Sequence, residues 1–322
     1  MNNVLCIGEL LIDFICSDLN TDISKGENFK KKAGGAPANV TAAISKLGGK
    51  SSFVGKVGKD PFGVFLKKTL DDLHVDTSML IMDKKCYTTL AFVSLKSDGE
   101  RDFVFNRGAD ELLKYSELDL ESIFSNKILH FGSATALLGG EMRQTYTKIM
   151  KEAREKGIFI SFDPNFRNNL WNEREEEFVN ISRQCIDEAD FVKLSDEELK
   201  IISGKENILE GVDSLIGNGS KIIAVTLGKQ GTLVSNGEQT EIVKSINVKS
   251  IDSTGAGDAF IGAVLFKISL MDDPKEQIKD FDNVKEIVSF ANKVGALVCT
   301  KLGAISALPT IEEVENKNLK WL

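Results

Sequence analysis

Asp252-Ser253-Thr254-Gly255-Ala256-Gly257-Asp258-Ala259-Phe260 is the stretch on which the reading of this chain depends. Residues 246–251 before it are β-like, and Phe260, Ile261, Val264, Leu265 and Ile268 after it form a helical stripe. It is therefore a strand–turn–helix junction, the repeating joint of an α/β fold. Small residues at 255–257 let a ligand approach the main chain, and the free N–H groups of a helix start favour an anion. Asp258 falls in the same turn. A carboxylate there is a poor anion ligand but is well placed as a base for a hydroxyl that attacks the anion. A plain glycine-rich turn followed by an acidic residue that complements the helix dipole fits the same nine residues. The turn alone leaves both readings open.

Outward from this joint the rhythm repeats. Residues 4–7, 52–57, 90–95, 103–105, 127–131, 158–162, 191–194 and 221–227 read as strands. Ala36, Val40, Ala43, Ile44 and Leu47 make a helical stripe stopped by Gly48-Gly49. Asp60-Pro61 opens another helix, Asp60 accepting from free N–H groups and Pro61 standing where no N–H is needed. Residues 141–156, 173–188, 195–203, 255–268 and 284–298 also read as helices, with Glu173–Glu177 as a solvated first turn. The expected fold is α/β: one domain over 1–322, a central, mostly parallel sheet flanked by helices. Segments 9–33 and 86–110 break the rhythm with strand-like pieces and turns (Lys25-Gly26, Ser97-Asp98-Gly99). They predict a small β-sheet lid over a cleft at the carboxyl ends of the strands.

Composition narrows the function. Of 322 residues 42% are hydrophobic, and 40 Lys+Arg against 48 Asp+Glu give a net charge of −8, a soluble globular profile. Scattered lysines on an acidic chain predict no nucleic-acid partner and no membrane surface. The most apolar run, 4–16, is interrupted by Glu9 and Asp13, and lacks the basic lead of a signal peptide. Five cysteines with no CxxC spacing read as reduced thiols of a cytoplasmic protein. Gly49-Lys50-Ser51 matches the end of a Walker A loop, but position 44 is Ile. The dinucleotide fingerprint fails as well, because Gly255-x-Gly257 is followed by Phe260 where a glycine is required. His74 and His130 stand alone, without metal-ligand spacing, as packing or surface residues.

Three further clusters sit at strand ends or helix starts. Gly34-Gly35-Ala36-Pro37-Ala38-Asn39 is a tight turn into a helix whose Asn39 offers donor and acceptor to a polyol; a glycine-assisted helix start also explains it. Phe162-Asp163-Pro164-Asn165-x-Arg167 gathers polar groups just past a strand. Ser195-Asp196-Glu197-Glu198 is a capping box, as is Thr310 with Glu313, so structure accounts for Ser195 and Glu198 without a ligand.

Taken in order, these elements resemble the ribokinase-like carbohydrate kinases, the phosphofructokinase-B family, from Gly8-Glu9 to Pro309. The carrying segments are Gly34-Gly35, 55–63, Val225-Thr226-Leu227-Gly228, 252–258 and Phe290-Ala291-Asn292. Within the family the chain is most similar to bacterial and plant fructokinases, through Arg101-Asp102-Phe103-x-Phe105-Asn106-Arg107-Gly108-Ala109-Asp110, His130-Phe131-Gly132-Ser133, 162–171 and Val192-Lys193-Leu194-Ser195-Asp196.

The resemblance implies ATP-dependent phosphorylation of the 6-hydroxyl of D-fructose. It makes Asp258 the general base and gives the N–H groups of Gly255, Ala256 and Gly257 the transferring phosphoryl. It places Asp13, Gly34, Gly35, Asn39, Arg107 and Arg167 on the sugar, and Lys193, Thr226, Gly228, Gly231 and Asn292 on the nucleotide. Lys193 is aligned with the Asn of a family Asn-x-x-Glu motif, which leaves magnesium to ride on ATP with water linking it to Asp196 or Glu198. A potassium ion beside Asp252 and Thr254, closed by 303–306, occurs in several relatives, and relatives often form homodimers through the lid. A 2-keto-3-deoxygluconate kinase is the alternative within the family, with Arg107 and Arg167 clamping the sugar acid. From another class, a catalytically inactive sugar-sensing regulator keeps the fold; intact Asp258 and its glycine turn speak against it.

Overall fold

The computed structural model describes residues 1–18, 21–95, 101–217 and 221–316. Its strands are β1 (Asn3–Ile7), β2 (Leu11–Cys16), β3 (Phe29–Gly34), β4 (Lys50–Gly58), β5 (Leu80–Asp83), β6 (Leu90–Leu95) and β7 (Arg101–Asn106). They continue with β8 (Ile128–Phe131), β9 (Phe159–Phe162), β10 (Phe191–Ser195), β11 (Ile222–Thr226), β12 (Thr232–Ser235) and β13 (Thr240–Val243). The helices are α1 (Ala36–Lys46), α2 (Pro61–Asp72), α3 (Leu120–Phe124), α4 (Gly140–Glu155), α5 (Asn168–Trp171) and α6 (Glu175–Glu188). After them come α7 (Asp196–Ser203), α8 (Ile208–Ile216), α9 (Ala256–Ser269), α10 (Pro274–Gln277), α11 (Phe281–Val298) and α12 (Ile311–Glu315).

Nine strands form the main sheet in the order β13-β12-β11-β10-β9-β8-β1-β4-β5. All pairs are parallel except β11–β12 and β12–β13. Alternate residues of one strand enter opposite cores, as a two-residue side-chain period requires. Val4 and Cys6 pack with α1, α9 and α11, whereas Leu5 and Ile7 pack with α4, α6, α7 and α8. β1 lies between β4 and β8, so the strand order reverses beside it. A crevice opens at such a switch point, beyond the carboxyl ends of the strands.

The second sheet is β3-β2-β6-β7, the lid expected from 9–33 and 86–110; the Ser97–Gly99 turn lies outside the described residues. One lid face packs on α2: Phe14 meets Phe62 edge-on at 5.7 Å and stacks on Phe92 at 5.2 Å. Asp60 caps α2 through Phe62 N and Gly63 N, as its position before Pro61 predicts. No helix among the described residues is long and apolar enough to cross a membrane.

The expected strand over 246–251 is not one. Ile246 and Val248 alternate with exposed Asn247 and Lys249, but the segment follows edge strand β13 and joins no ladder. Its end is held instead by Ile251 N and Asp252 N on Cys299 O. Strands β5, β12 and β13 and helix α8 were not anticipated.

Candidate active site

The glycine turn is built as its sequence demands. Gly255 caps α9 with φ 77°, and a Cβ there would stand 2.5 Å from that of Ala304, so both conformation and space call for glycine. Asp258 follows in the first turn of α9 and faces a cleft of about 640 Å³ that Asp13, Gly35, Asn39, Arg167, Lys193 and Gly257 also line. Its Oδ2 accepts a 2.8 Å hydrogen bond from Asn39 Nδ2. Burial raises the carboxyl above its ordinary value, while Asn39, Arg167 and Lys193 pull it back.

The residues expected on the sugar come from four elements. Asp13 reaches down from β2, and burial together with Glu9 and Asp258 pushes it up to about 7 against the opposing pull of Arg167. Gly34 must be bare, because a Cβ would stand 2.7 Å from Asp13 Cγ. Arg167 lies exposed at the start of α5 and donates to Phe166 O at 2.8 Å. Arg107 is not brought to this cleft. It bonds Asp110 at 3.0 Å and lines a separate cavity of about 650 Å³ with Asp60, Tyr87 and Thr88. The buried Asp110 carboxylate holds the guanidinium at the lid hinge.

On the other side of the α9 start, a cavity of about 400 Å³ is lined by Thr226, Gly228, Gly231, Phe260 and Asn292. Thr226, Gly228 and Gly257 belong to both cavities, which makes the glycine turn their shared wall. Asn292 is committed on both ends, accepting from Thr232 Oγ1 at 2.6 Å and donating to Val243 O at 2.8 Å. It shapes this cavity by bracing β12 and β13 against α11.

Lys193 is buried with Asp163 Oδ2 at 3.0 Å and Glu198 Oε2 at 4.0 Å. Burial works against its charge, but the two carboxylates outweigh it and the ammonium is held above its usual range. The reciprocal cap joins Ser195 and Glu198, not Lys193. Three-residue spacing that ends in glutamate thus starts at Ser195. Glu198 accepts from Phe166 N at 2.8 Å and Ser195 N at 2.7 Å, one bond per oxygen, whereas Asp196 is exposed at the rim. Asp252 accepts from Thr254 N at 2.9 Å and Gly303 N at 2.9 Å, tying the 252–254 loop to the 303–306 segment.

Residues missed in the sequence complete the floor. Glu9, 1% exposed, accepts from Ala36 N and Ala134 N and from the Ser133 hydroxyl, locking three loops beneath Asp13. Its only signal was a carboxylate, one of two, inside an apolar run. Phe103 and Phe105 of β7 close the cleft from the lid side. His130 is a packing residue: burial lowers it to about 3, and it shares a 3.2 Å contact with Ser161 Oγ.

A doubly walled crevice with an anion turn, an adjacent carboxylate and a polar pocket under a β lid defines a small-molecule phosphotransferase. The profile of the pfkB family carbohydrate kinases matches residues 1–311, and the chain belongs to that family. Fructokinase-2 of Solanum lycopersicum is 41% identical over 313 residues, 96% of this chain and 94% of its own length. The structure of a Vibrio cholerae O395 fructokinase with fructose, ADP and calcium ion aligns with a TM-score of 0.83 at 34% identity, covering 98% of each chain. A Xylella fastidiosa fructokinase with bound ATP aligns at TM-score 0.87 and 31% identity, over 97% of this chain and 96% of that one. The chain is accordingly a carbohydrate kinase with a ribokinase-like fold.

Proposed function

We propose that this kinase transfers the γ-phosphoryl group of ATP to the 6-hydroxyl of D-fructose, giving fructose 6-phosphate and ADP. The observation that carries the reading is Asp258, in the same helical turn as the Gly255–Gly257 amides and facing the cleft that Asp13 and Asn39 line. Asp258 takes the proton of the sugar hydroxyl as its oxygen bonds to the γ-phosphorus; the bond from that phosphorus to the bridging oxygen breaks, and ADP leaves. Phosphoryl transfer demands alignment and charge stabilisation above all. The amides of Gly255, Ala256 and Gly257 supply fixed donors, and Asp13, Gly34, Gly35, Asn39 and Arg167 form the sugar side. Thr226, Gly228, Gly231 and Asn292 form the nucleotide side, with Lys193 toward its phosphates.

For magnesium the helix start fits as a water-mediated holder, since both Glu198 oxygens already accept main-chain N–H groups. Asp196 and Glu198 would hold it, and it would neutralise phosphate charge. Potassium would sit by Asp252 and Thr254, where the 303–306 segment already closes on the loop. Exposed Ile15, Tyr87 and Val104 on and beside the lid support a homodimer through it, and five free thiols support a cytoplasmic setting. The sugar-acid alternative loses one of its two arginines, because Arg107 is engaged at the hinge.

A coupled ADP-release assay across sugars and sugar acids tests the reading. Fructose should exceed 2-keto-3-deoxygluconate in kcat/KM by at least about tenfold, and a reversed ranking overturns the substrate. An inactive wild type that still binds sugar would favour the regulator.

A further inference from the structure

The second of the two lid segments, β6 and β7, enters and leaves the body beside one buried carboxylate. Asp110, 2% exposed, lies just past the end of β7. Its Oδ1 accepts from the hydroxyl of Thr89, the residue before β6, and its Oδ2 accepts from Arg107 Nη2 at 3.0 Å. The same Oδ2 accepts from Thr135 Oγ1 at 2.8 Å, and Thr135 belongs to the loop after β8 in the body. Thr89 in turn takes the Gly108 N–H on its hydroxyl at 2.8 Å, and its carbonyl takes the Ile12 N–H of β2 at 3.1 Å. The loop that anchors Asp110 also carries Ser133 and Ala134, which bond Glu9 beneath the sugar side of the cleft.

We propose that Asp110 is a positioning residue: it gathers the entry to β6 and the exit from β7, fixes them on the β8 loop and, through the pairing of β6 with β2, sets Asp13, Phe103 and Phe105 over the sugar. It touches no atom of the cleft, since it is absent from the cleft's lining. Its influence therefore falls on the sugar side, which the lid roofs, and spares the nucleotide cavity, whose walls come from β11, β12, the 245–253 segment, α9 and α11. A merely structural carboxylate would act on both halves alike. The inference rests on the sugar-kinase reading for its kinetic part, and on the hinge geometry alone for its exchange part.

The test compares wild type, Asp110→Asn and Thr135→Val by steady-state kinetics with fructose and ATP, and by amide hydrogen exchange of the free protein. Asp110→Asn should raise KM for fructose about tenfold or more while KM for ATP stays within about twofold, and Thr135→Val should follow with a smaller rise. Exchange should quicken over 11–34 and 86–110 and stay unchanged in α9 and α11. Faster exchange spread evenly over lid and body, unchanged exchange in the lid, or a KM for ATP that rises with that for fructose would each overturn the proposal. If Asp110→Asn does not fold, Thr135→Val, which loses one hydroxyl at constant shape, decides the question. A wild type inactive on every sugar refutes the kinase reading instead, and the exchange pattern still decides the hinge.

Discussion

The ends of the cleft proposed for the phosphoryl group and for the sugar are built in opposite ways. Seven consecutive residues, Asp252 to Asp258, make the first, and their geometry is local: a left-handed glycine, a helix start, a carboxylate one turn in. The second draws Asp13 from β2, Gly34 from β3, Asn39 from α1 and Arg167 from the start of α5, and no two of these are neighbours in sequence. A rigid, locally determined turn suits the step in which charge moves, because fixed donors need no reorganisation. A dispersed pocket beneath a separate small sheet suits enclosure of a polyol, since enclosure expels water.

The widest separation between the two ends should come from Asp258→Asn. Loss of the base should lower kcat by about 10²–10⁴-fold while calorimetry still shows fructose binding. Next is Gly255→Ala, which forces a Cβ onto Ala304 at positive φ. It should destabilise the fold by about 1–3 kcal/mol in denaturant titration and lower kcat, leaving KM for fructose nearly unchanged. Asp13→Asn should do the reverse, raising KM for fructose about tenfold with a smaller effect on kcat. If the two variants gave the same kinetic pattern, the division of labour between the ends would be lost.

The smallest effect is one of pH. Asp13 titrates near 7 in the folded protein, against an ordinary 3.8. Between those values the native state keeps a proton that the unfolded chain has shed, so this group's contribution to stability declines as pH rises from about 4 to 7. Asp13→Asn should therefore raise Tm more at pH 8 than at pH 5, read by thermal scans. Ionised Asp13 accepts from sugar hydroxyls, so kcat/KM for fructose should fall as pH drops below about 7.

The contrast also explains what could be read in advance. Strands buried on both faces, the Asp60 cap and the boxes at Ser195 and Thr310 were visible because each depends on neighbours within a few residues. The β12–β13 hairpin carried its Asn236-Gly237 signal and α8 its Asn207 cap, both passed over beside short, mixed sequence. Residues 246–251 alternate like a strand, yet pairing depends on a partner that periodicity cannot name. The Arg107–Asp110 pair, three residues apart, went unread because the sequence neighbourhood of Arg107 also fits a sugar contact. Glu9 and Lys193 owe their roles to partners 27 or more residues away: Ala36 and Ala134 for one, Asp163 for the other.

The most direct measurement is a structure of the enzyme with fructose and a non-hydrolysable ATP analogue, lid closed. Asp258 as base requires a carboxylate oxygen within about 2.6–3.2 Å of fructose O6, with the γ-phosphorus in line beyond it and the Gly255–Gly257 amides on its oxygens. A closed complex in which O6 meets some other basic group, and Asp258 points away from it, would contradict the assignment.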